Sequence, residues 1–475
     1  MKSIACYHYI SVFFLWILFI TKGFAAFQNV SHKRDITNIK ILMDKPDSIV
    51  SDKWNFANKD NEINNYLSKT MNNVIVNFYY NDKESTEKKS KNEYEDYVKF
   101  IIEQLKNSNY DMFILDEKFI FSDVSNIESS YIQDTFHELN IHNYYLNLSD
   151  FFEKNKNKMN NNAAFNEIFK NVYSVTSDNN IYDEDMVKGG FNNNILYGLP
   201  FEMDLDVEYI VAGQGNQTIQ NDNNKILTNI ADDDKLLATF VNFMITNGLN
   251  NETPDEKSYY NILTNKLEKN KLEEELLIPF SKFIKDKIDN KLTTINNINS
   301  FTLNNVYKNF IYNEGNNRSF YGKASHFCSI VGQFENNSLI QLSLLHKKSV
   351  RNKKYLVINK NSKIDKDMLF QVALQLSSSD FQTAKYELSC KLPAYNFNVI
   401  NSNFSNHTYF NNIIKQTSDF VNIKKMFESQ FGAPYMEVRA FLPEALKKFI
   451  IDGNAKPVVD MLENIQYLVM DKILL

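Results

Sequence analysis

Cysteine, glycine and proline are all scarce in this chain: 3, 12 and 8 of 475 residues. The few glycines build no G-x-x-x-x-G-K-[ST] phosphate loop and no G-x-S-x-G nucleophile elbow. Gly213-Gln214-Gly215-Asn216-Gln217-Thr218 lacks the third glycine of a dinucleotide loop, so it reads as a surface loop. The few cysteines form no C-x-x-C pair. A surplus of positive charge is also missing. Lys and Arg number 52 against 58 Asp and Glu, for a net charge of −6, which argues against a nucleic-acid partner. Past the N-terminus no apolar run approaches the roughly 20 residues that span a bilayer. No metal motif is complete either. His137 and His142 stand five apart, about 140° around a helix, where a zinc-protease helix needs i and i+4. No metal and no cofactor is expected.

Asn, Lys and Ile fill the space instead, as in a chain with AT-biased codons. Hydrophobic residues reach 43%, enough for sizeable cores, and the length suits two to four domains or one large bilobed unit. Residues 1–25 read as a secretory signal: Lys2, the apolar run Ile10–Ile20, then Gly23 and Ala25 as small residues at a cleavage site. The alternative is an uncleaved N-terminal anchor. Cleavage would remove Cys6 and leave Cys328 and Cys390. These either pair, closing a loop worth roughly 4 kcal/mol, or stay as two buried thiols. N-x-[ST] sequons begin at Asn29, Asn147, Asn216, Asn251, Asn317, Asn336, Asn403 and Asn406, and a secreted chain would carry glycans on some of them.

Periodicity predicts strands over Ile36–Met43, Asn73–Tyr80 and Asp111–Leu115, separated by helices over Asn61–Lys69 and Glu93–Lys106. That alternation predicts an α/β layer with a mostly parallel sheet. Lys154–Asn162 reads as a polar loop. A strand pair is expected at Ile195–Gly198 and Leu205–Ala212, and strands at Phe320–Gln333 and Lys354–Asn359. Helices are expected at Leu236–Leu249, Lys271–Ile288, Asp367–Leu376 and Phe381–Leu388. A terminal helical pair, Ala440–Ile451 and Pro457–Met470, breaks at Asp452-Gly453.

Several segments, in order, resemble those of the large extracellular sugar-binding family of solute-binding proteins that includes maltose-binding protein. Tyr110–Asp116 (YDMFILD) and Tyr145–Ser149 (YLNLS) resemble its early strand and the segment after it. Ile195–Asp204 (ILYGLPFEMD) with Tyr209 resembles its hinge segment, with Ile210 and Val211 replacing Tyr and Asn. Phe320–Ala324 (FYGKA), with Ser329 and Gly332, resembles its cleft loop, although Ser325 and His326 depart from the usual Ala-Met. Lys354–Lys363 and Leu392–Tyr395 (LPAY) resemble late segments. The resemblance runs from about Ile36 to Gln466. It implies an α/β, two-lobed fold of the type II periplasmic-binding-protein kind, with a central cleft and crossover hinge strands. Lobe one would hold residues 27–200 and 355–395, and lobe two 206–350 and 396–475. It further implies a non-catalytic, monomeric, secreted binder of a small solute, a carbohydrate, or a lower-eukaryote receptor ectodomain, with a membrane receptor or transporter as partner. The alternatives are a secreted glycan hydrolase and a surface protein whose cleft has lost its ligand.

In an open α/β sheet small ligands lie at the carboxyl ends of strands. That points to Asp44 and Lys45 after the first strand and to Asp116 and Glu117 after the third. These carboxylates could equally cap the next helix. Sugar recognition also needs aromatic platforms. By the resemblance, Trp54, Phe334, Tyr395 and Tyr435 fall in cleft segments and Ser329 in the cleft loop; each aromatic could instead be core. Phe201–Tyr209 alternates apolar residues with Glu202, Asp204, Asp206 and Glu208. On a strand the four acids share one face at about 6–7 Å spacing. Three readings are open: a solvated edge, pairing with the basic segment Arg351–Lys354, or a cation or amine-ligand site that would include Glu202 and Asp204.

Overall fold

The computed structural model describes residues 36–44, 56–71, 73–81, 93–117, 141–159, 161–173, 181–192, 194–211, 226–246, 272–287, 298, 302–312, 318–331, 340–344, 348–389, 391–396, 419–421 and 441–473. The N-terminal signal-like segment lies outside them. The strands are β1 (Thr37–Asp44), β2 (Val74–Asn81), β3 (Met112–Asp116), β4 (Phe191–Asn192), β5 (Ile195–Leu196), β6 (Gly198–Val211), β7 (Ile226–Thr228), β8 (Arg318–Lys323), β9 (Ile340–Ser343), β10 (Lys348–Ile358) and β11 (Asp419–Val421).

The first three long strands match the α/β reading. β1 lies parallel to β2 on one side and to β3 on the other. Helices Phe56–Leu67 and Glu93–Lys106 lie between them in the chain. Ile39, Ile41 and Met43 are buried on one face of β1 and Leu42 on the other, the pattern of a strand covered on both sides. Asp111 fixes the entry to β3. One carboxylate oxygen accepts the Lys40 amide at 2.9 Å and the other accepts the Ser362 hydroxyl.

β6 and β10 join this layer to the rest of the molecule. β10 runs antiparallel to β3 through Lys354–Ile358 and antiparallel to β6 through Arg351–Val357. Up to Leu205, β6 pairs with β10; from Asp206 onward it pairs with β8, and from Glu208 also with β9. The strand order is β2-β1-β3-β10-β6-β8-β7, with β11 on β10 and β9 on β6, so the two strand groups form one curled sheet rather than two detached ones.

Three segments differ from the sequence reading. The expected strand pair at 195–198 and 205–212 is mostly one unbroken strand, β6, preceded by the β4–β5 hairpin. The expected strand over 320–333 stops at Lys323, and Ala324–His326 turns into helix Phe327–Val331. The ladder ends there because Asp204 accepts the Ser325 amide at 3.1 Å and His326 Nδ1 accepts the Lys323 amide at 3.2 Å. The expected loop at 154–162 begins inside a helix, Leu148–Asn155, whose N-cap Asn147 accepts the Asp150 amide at 3.2 Å.

Helix Asp233–Thr246 packs with the terminal helix Leu442–Asp452, which Gly453 closes at φ +74° before Lys456–Ile473 begins. Leu272–Leu277 is a π-helical turn leading into Ile278–Lys287. Pro279 lacks an N–H to donate to Glu275, which favours that local rewinding. Among the described residues, no helix is long and apolar enough to cross a membrane.

Candidate functional site

Lys354 sits where the strand ends converge. It lies opposite Asp116 across the β10–β3 ladder and opposite Glu202 across the β10–β6 ladder. Directly opposed residues share a face of the sheet, about 5 Å apart at Cβ. Lys354 Nζ donates to Glu202 Oε1 at 3.2 Å. Burial alone would lower the Lys354 pKa, but the carboxylates of Glu202, Asp116 and Asp44 together hold it above the ordinary lysine range, against opposition from Lys323. Asp44 and Asp116, singled out as strand-end residues, and Glu202, singled out in the acidic stripe, therefore act on one ammonium. Lys45 lies outside the described residues.

Glu202 is 3% exposed, and a bare carboxylate there would be costly. A second lysine, Lys391, donates to both its oxygens at 3.3 and 3.2 Å. Burial pushes the Glu202 pKa up, but Lys354, Lys391 and Lys385 outweigh it and hold the carboxyl well below the usual range.

Two of the other three acids of β6 are not solvated either, and the third, Glu208, is half-buried, which overturns the exposed-edge reading. Asp204 and Asp206 are also buried. Asp204 accepts the Ser325 hydroxyl at 2.6 Å as well as its amide. Burial still raises its pKa, against Lys323 and Ser325. Asp206 pairs with Lys235 at 2.9 Å, and that ammonium lies 3.9 Å from the centre of the Tyr321 ring. Glu208 accepts the Ser343 hydroxyl at 3.1 Å. Each acid thus has its own donor from a different neighbour, which leaves the stripe no role as a cation site. Among the described residues no group of His, Cys, Asp and Glu is placed to hold a metal.

The basic segment meets this stripe through one residue. Lys354 pairs with Glu202 as the pairing reading expects, while Arg351 and Lys353 find other partners. Arg351 reaches Asp183 at 2.7 Å and Asp185 at 3.9 Å, and Lys353 reaches Glu117 at 3.5 Å. Strand alternation explains the split: Arg351 and Lys353 project from the face opposite to Lys354. Glu117 is accordingly an ion-pair partner of β10 and not a neighbour of the Lys354 row.

Tyr395, expected as a platform, is 1% exposed. Its hydroxyl donates to the Ser379 carbonyl, and its ring meets Tyr182 edge-on at 5.7 Å, so it is core. Ser329 is half-buried, and its carbonyl accepts the Tyr307 hydroxyl at 3.2 Å. Trp54, Phe334, Tyr435, Cys390, His137 and the Gly213–Thr218 loop lie outside the described residues. His142 is buried, with its ring nitrogens 3.0 and 3.2 Å from the Asn192 amide nitrogen. Lys391, Lys385, Lys323 and Ser325 were not singled out as site residues by sequence reasoning. In a chain with 52 Lys and Arg a buried lysine carries no local signature. The departure at Ser325 from the usual family Ala was the one available sign.

No family model matches the chain, and no curated protein matches it. Solved structures do. A maltose-bound MalE3 of T. maritima superposes with a TM-score of 0.58 at 11% identity, covering 92% of this chain and all of that one. The GacH receptor of Streptomyces glaucescens gives 0.56 at 9% identity over 92% and 100%. The maltose-maltodextrin binding protein of Alicyclobacillus acidocaldarius gives 0.54 at 12% over 90% and 100%. With the α/β layer, the two crossover strands and these full-length superpositions together, the chain has the two-lobed type II periplasmic-binding-protein fold of the maltose-binding-protein-like solute-binding proteins.

Proposed function

We propose that this protein is a non-catalytic extracellular solute-binding protein, or the ligand-binding domain of a receptor, and that it takes a small carbohydrate between its lobes. The secretory reading of residues 1–25 supports the location. In this reading, lobe one holds residues 27–200 and 355–395, lobe two holds 206–350 and 396–475, and β6 and β10 cross between them. The observation that carries the proposal is the convergence of Asp44, Asp116 and Glu202 on Lys354 at the carboxyl ends of β1 and β3 and on the crossover strands. Carboxylates beside an ammonium supply the acceptors and donors that sugar hydroxyls require. Proteins of the same fold include one bound to maltose and one described as a chitin oligosaccharide binding protein.

A hydrolase reading fits less well. Glycoside hydrolysis needs one protonated carboxyl acid near a second carboxylate. Glu202 is held ionised by its lysines, the wrong state for a general acid, and Asp204, whose pKa burial raises, is buried with its oxygens taken by the Ser325 amide and hydroxyl.

The test is a thermal-shift screen of the secreted chain against oligosaccharides, amino acids and metal ions, with product analysis on the same samples. A ligand at about 100 times its dissociation constant adds roughly 2.7 kcal/mol of stability. The proposal expects a rise of several degrees with one class of sugar and no cleavage. Glycan turnover would overturn the non-catalytic part.

A further inference from the structure

We infer that Asn147 is a modification site: it carries an N-linked oligosaccharide on its Nδ2, at the end of the sheet away from the Lys354 row. This rests only on the secretory part of the reading above and is independent of any solute.

The first observation is which atom of Asn147 the fold uses. Asn147-Leu148-Ser149 is an N-x-[ST] acceptor with no proline at its centre. Asn147 is the N-cap of helix Leu148–Asn155, and its Oδ1 accepts the Asp150 amide at 3.2 Å. That bond fixes the orientation of the side-chain amide, because only the oxygen can accept. Nδ2 points the other way; among the described residues it makes no hydrogen bond, and it is not sealed from solvent. Asn155, Asn171 and Asn359 are buried and behave differently. Each spends its Nδ2 on main-chain carbonyls, of Phe151, of Glu167, and of Leu105 and Tyr110. A sugar bonded to Nδ2 of Asn147 leaves Oδ1, and so the helix cap, in place.

The second observation is position. The Leu146 amide donates to the Ile358 carbonyl at 2.9 Å, and Ile358 lies opposite Met112, the first residue of β3. Asp116, at the other end of β3, lies opposite Lys354. The strand between Met112 and Asp116 spans about 13 Å. A glycan on Asn147 therefore starts at the amino end of β3, while the Lys354 row stands at its carboxyl end.

The third observation concerns order of events. The Ser149 hydroxyl accepts the Leu196 amide at 2.9 Å and hydrogen-bonds Tyr173. The hydroxyl that completes the acceptor is thus committed once the β4–β5 hairpin docks, so transfer acts on the extended chain before that docking. In the transfer, a bond forms from Nδ2 to C1 of the sugar as the bond from C1 to the diphosphate of a lipid-linked oligosaccharide breaks. The diphosphate leaves with that bond's electron pair, and Nδ2 gives up one proton.

Mass spectrometry of the full chain, expressed in a eukaryotic cell and recovered from the medium, tests this. Enzymatic glycan release in heavy-oxygen water turns each occupied asparagine into labelled aspartate. Position 147 should carry the label in most molecules. Asn147→Asp removes the acceptor but keeps a capping oxygen. That variant should be lighter by one glycan and melt within a few degrees of wild type, while Asn147→Ala, equally light, melts lower. An unlabelled Asn147 in the secreted protein overturns the inference and leaves the secretory reading standing. Equal melting of the two variants overturns the placing of Oδ1 in the cap, and with it the outward Nδ2. A chain that stays in the cytosol without glycans overturns the secretory reading and this inference together.

Discussion

The ammonium of Lys385 donates to the carbonyl of Phe201, the residue of β6 that the ladder to β10 skips. Lys354 pairs with Glu202 and the next residue, Tyr355, pairs with Pro200, so Phe201 is an extra residue in one strand only. A bulge leaves its extra residue out of the ladder, and a buried carbonyl without a donor costs about 1–3 kcal/mol. Lys385, itself buried, supplies the donor from helix Ser379–Ser389, and its charge lies 4.1 Å from the centre of the Phe201 ring. The irregularity in the crossover strand is thereby tied to a helix beside it.

That arrangement makes stability pH-dependent in a defined window. Burial pushes the Lys385 pKa down to about 7, with Glu202 opposing and Lys391 and Lys354 reinforcing the shift. An unfolded lysine titrates near 10.4, so between about pH 7 and 10 the unfolded chain binds more protons here. This group's contribution therefore rises with pH across that window, by at most about 1.4 kcal/mol per unit, and is flat below it. Urea unfolding at pH 7 and 9.5 should show the difference between wild type and Lys385→Met changing in wild type's favour at the higher pH. A pH-independent difference would contradict it.

Glu202 should be among the costliest acids to neutralise. Its folded pKa is depressed, so its contribution is full above the unfolded value and is lost as pH falls toward the folded one. Glu202→Gln leaves two lysines facing a neutral amide. Breaking a buried pair in this way costs roughly 3–5 kcal/mol. Chemical denaturation near pH 7 should report a loss of that order, and a loss below about 1 kcal/mol would mean that the lysines find solvent instead.

The Asp206–Lys235 pair offers a cycle. Its side chains are 3% and 12% exposed, and burial lowers the Lys235 pKa despite Asp206. Asp206→Asn alone should destabilise by a few kcal/mol, because it strands a buried ammonium. Asp206→Asn with Lys235→Met should recover more than half of that loss, as measured by unfolding midpoints. Strict additivity of the two changes would exclude direct coupling.

Much of the first layer was legible because its chemistry is periodic. Alternation in β1 and β2 and helical spacing in Glu93–Lys106 fix those elements. β6 was read as a strand pair, although the alternation over Phe201–Tyr209 already put Glu202, Asp204 and Asp206, which look unfit for a strand interior, on one strand face. They become fit through Lys391, Ser325 and Lys235, all distant in sequence. At the site, Asp44 and Asp116 were readable as residues that end strands. Lys354 was visible only as a partner for the acids, since its second neighbour, Asp116, depends on β10 lying between β3 and β6. Tyr395 was misread because burial of an aromatic is a tertiary property with no local mark.

Asp116 tests the proposed site most sharply, because that site includes it by its place opposite Lys354 and its replacement leaves the Lys354–Glu202 pair intact. The direct measurement is a calorimetric titration of wild type and Asp116→Ala with the oligosaccharide that raises the melting temperature of wild type. The account predicts saturable binding by wild type, affinity reduced more than tenfold in Asp116→Ala, and melting temperatures of the two free proteins within a few degrees. Equal affinity of the two proteins, or a wild type that no oligosaccharide stabilises, would contradict it.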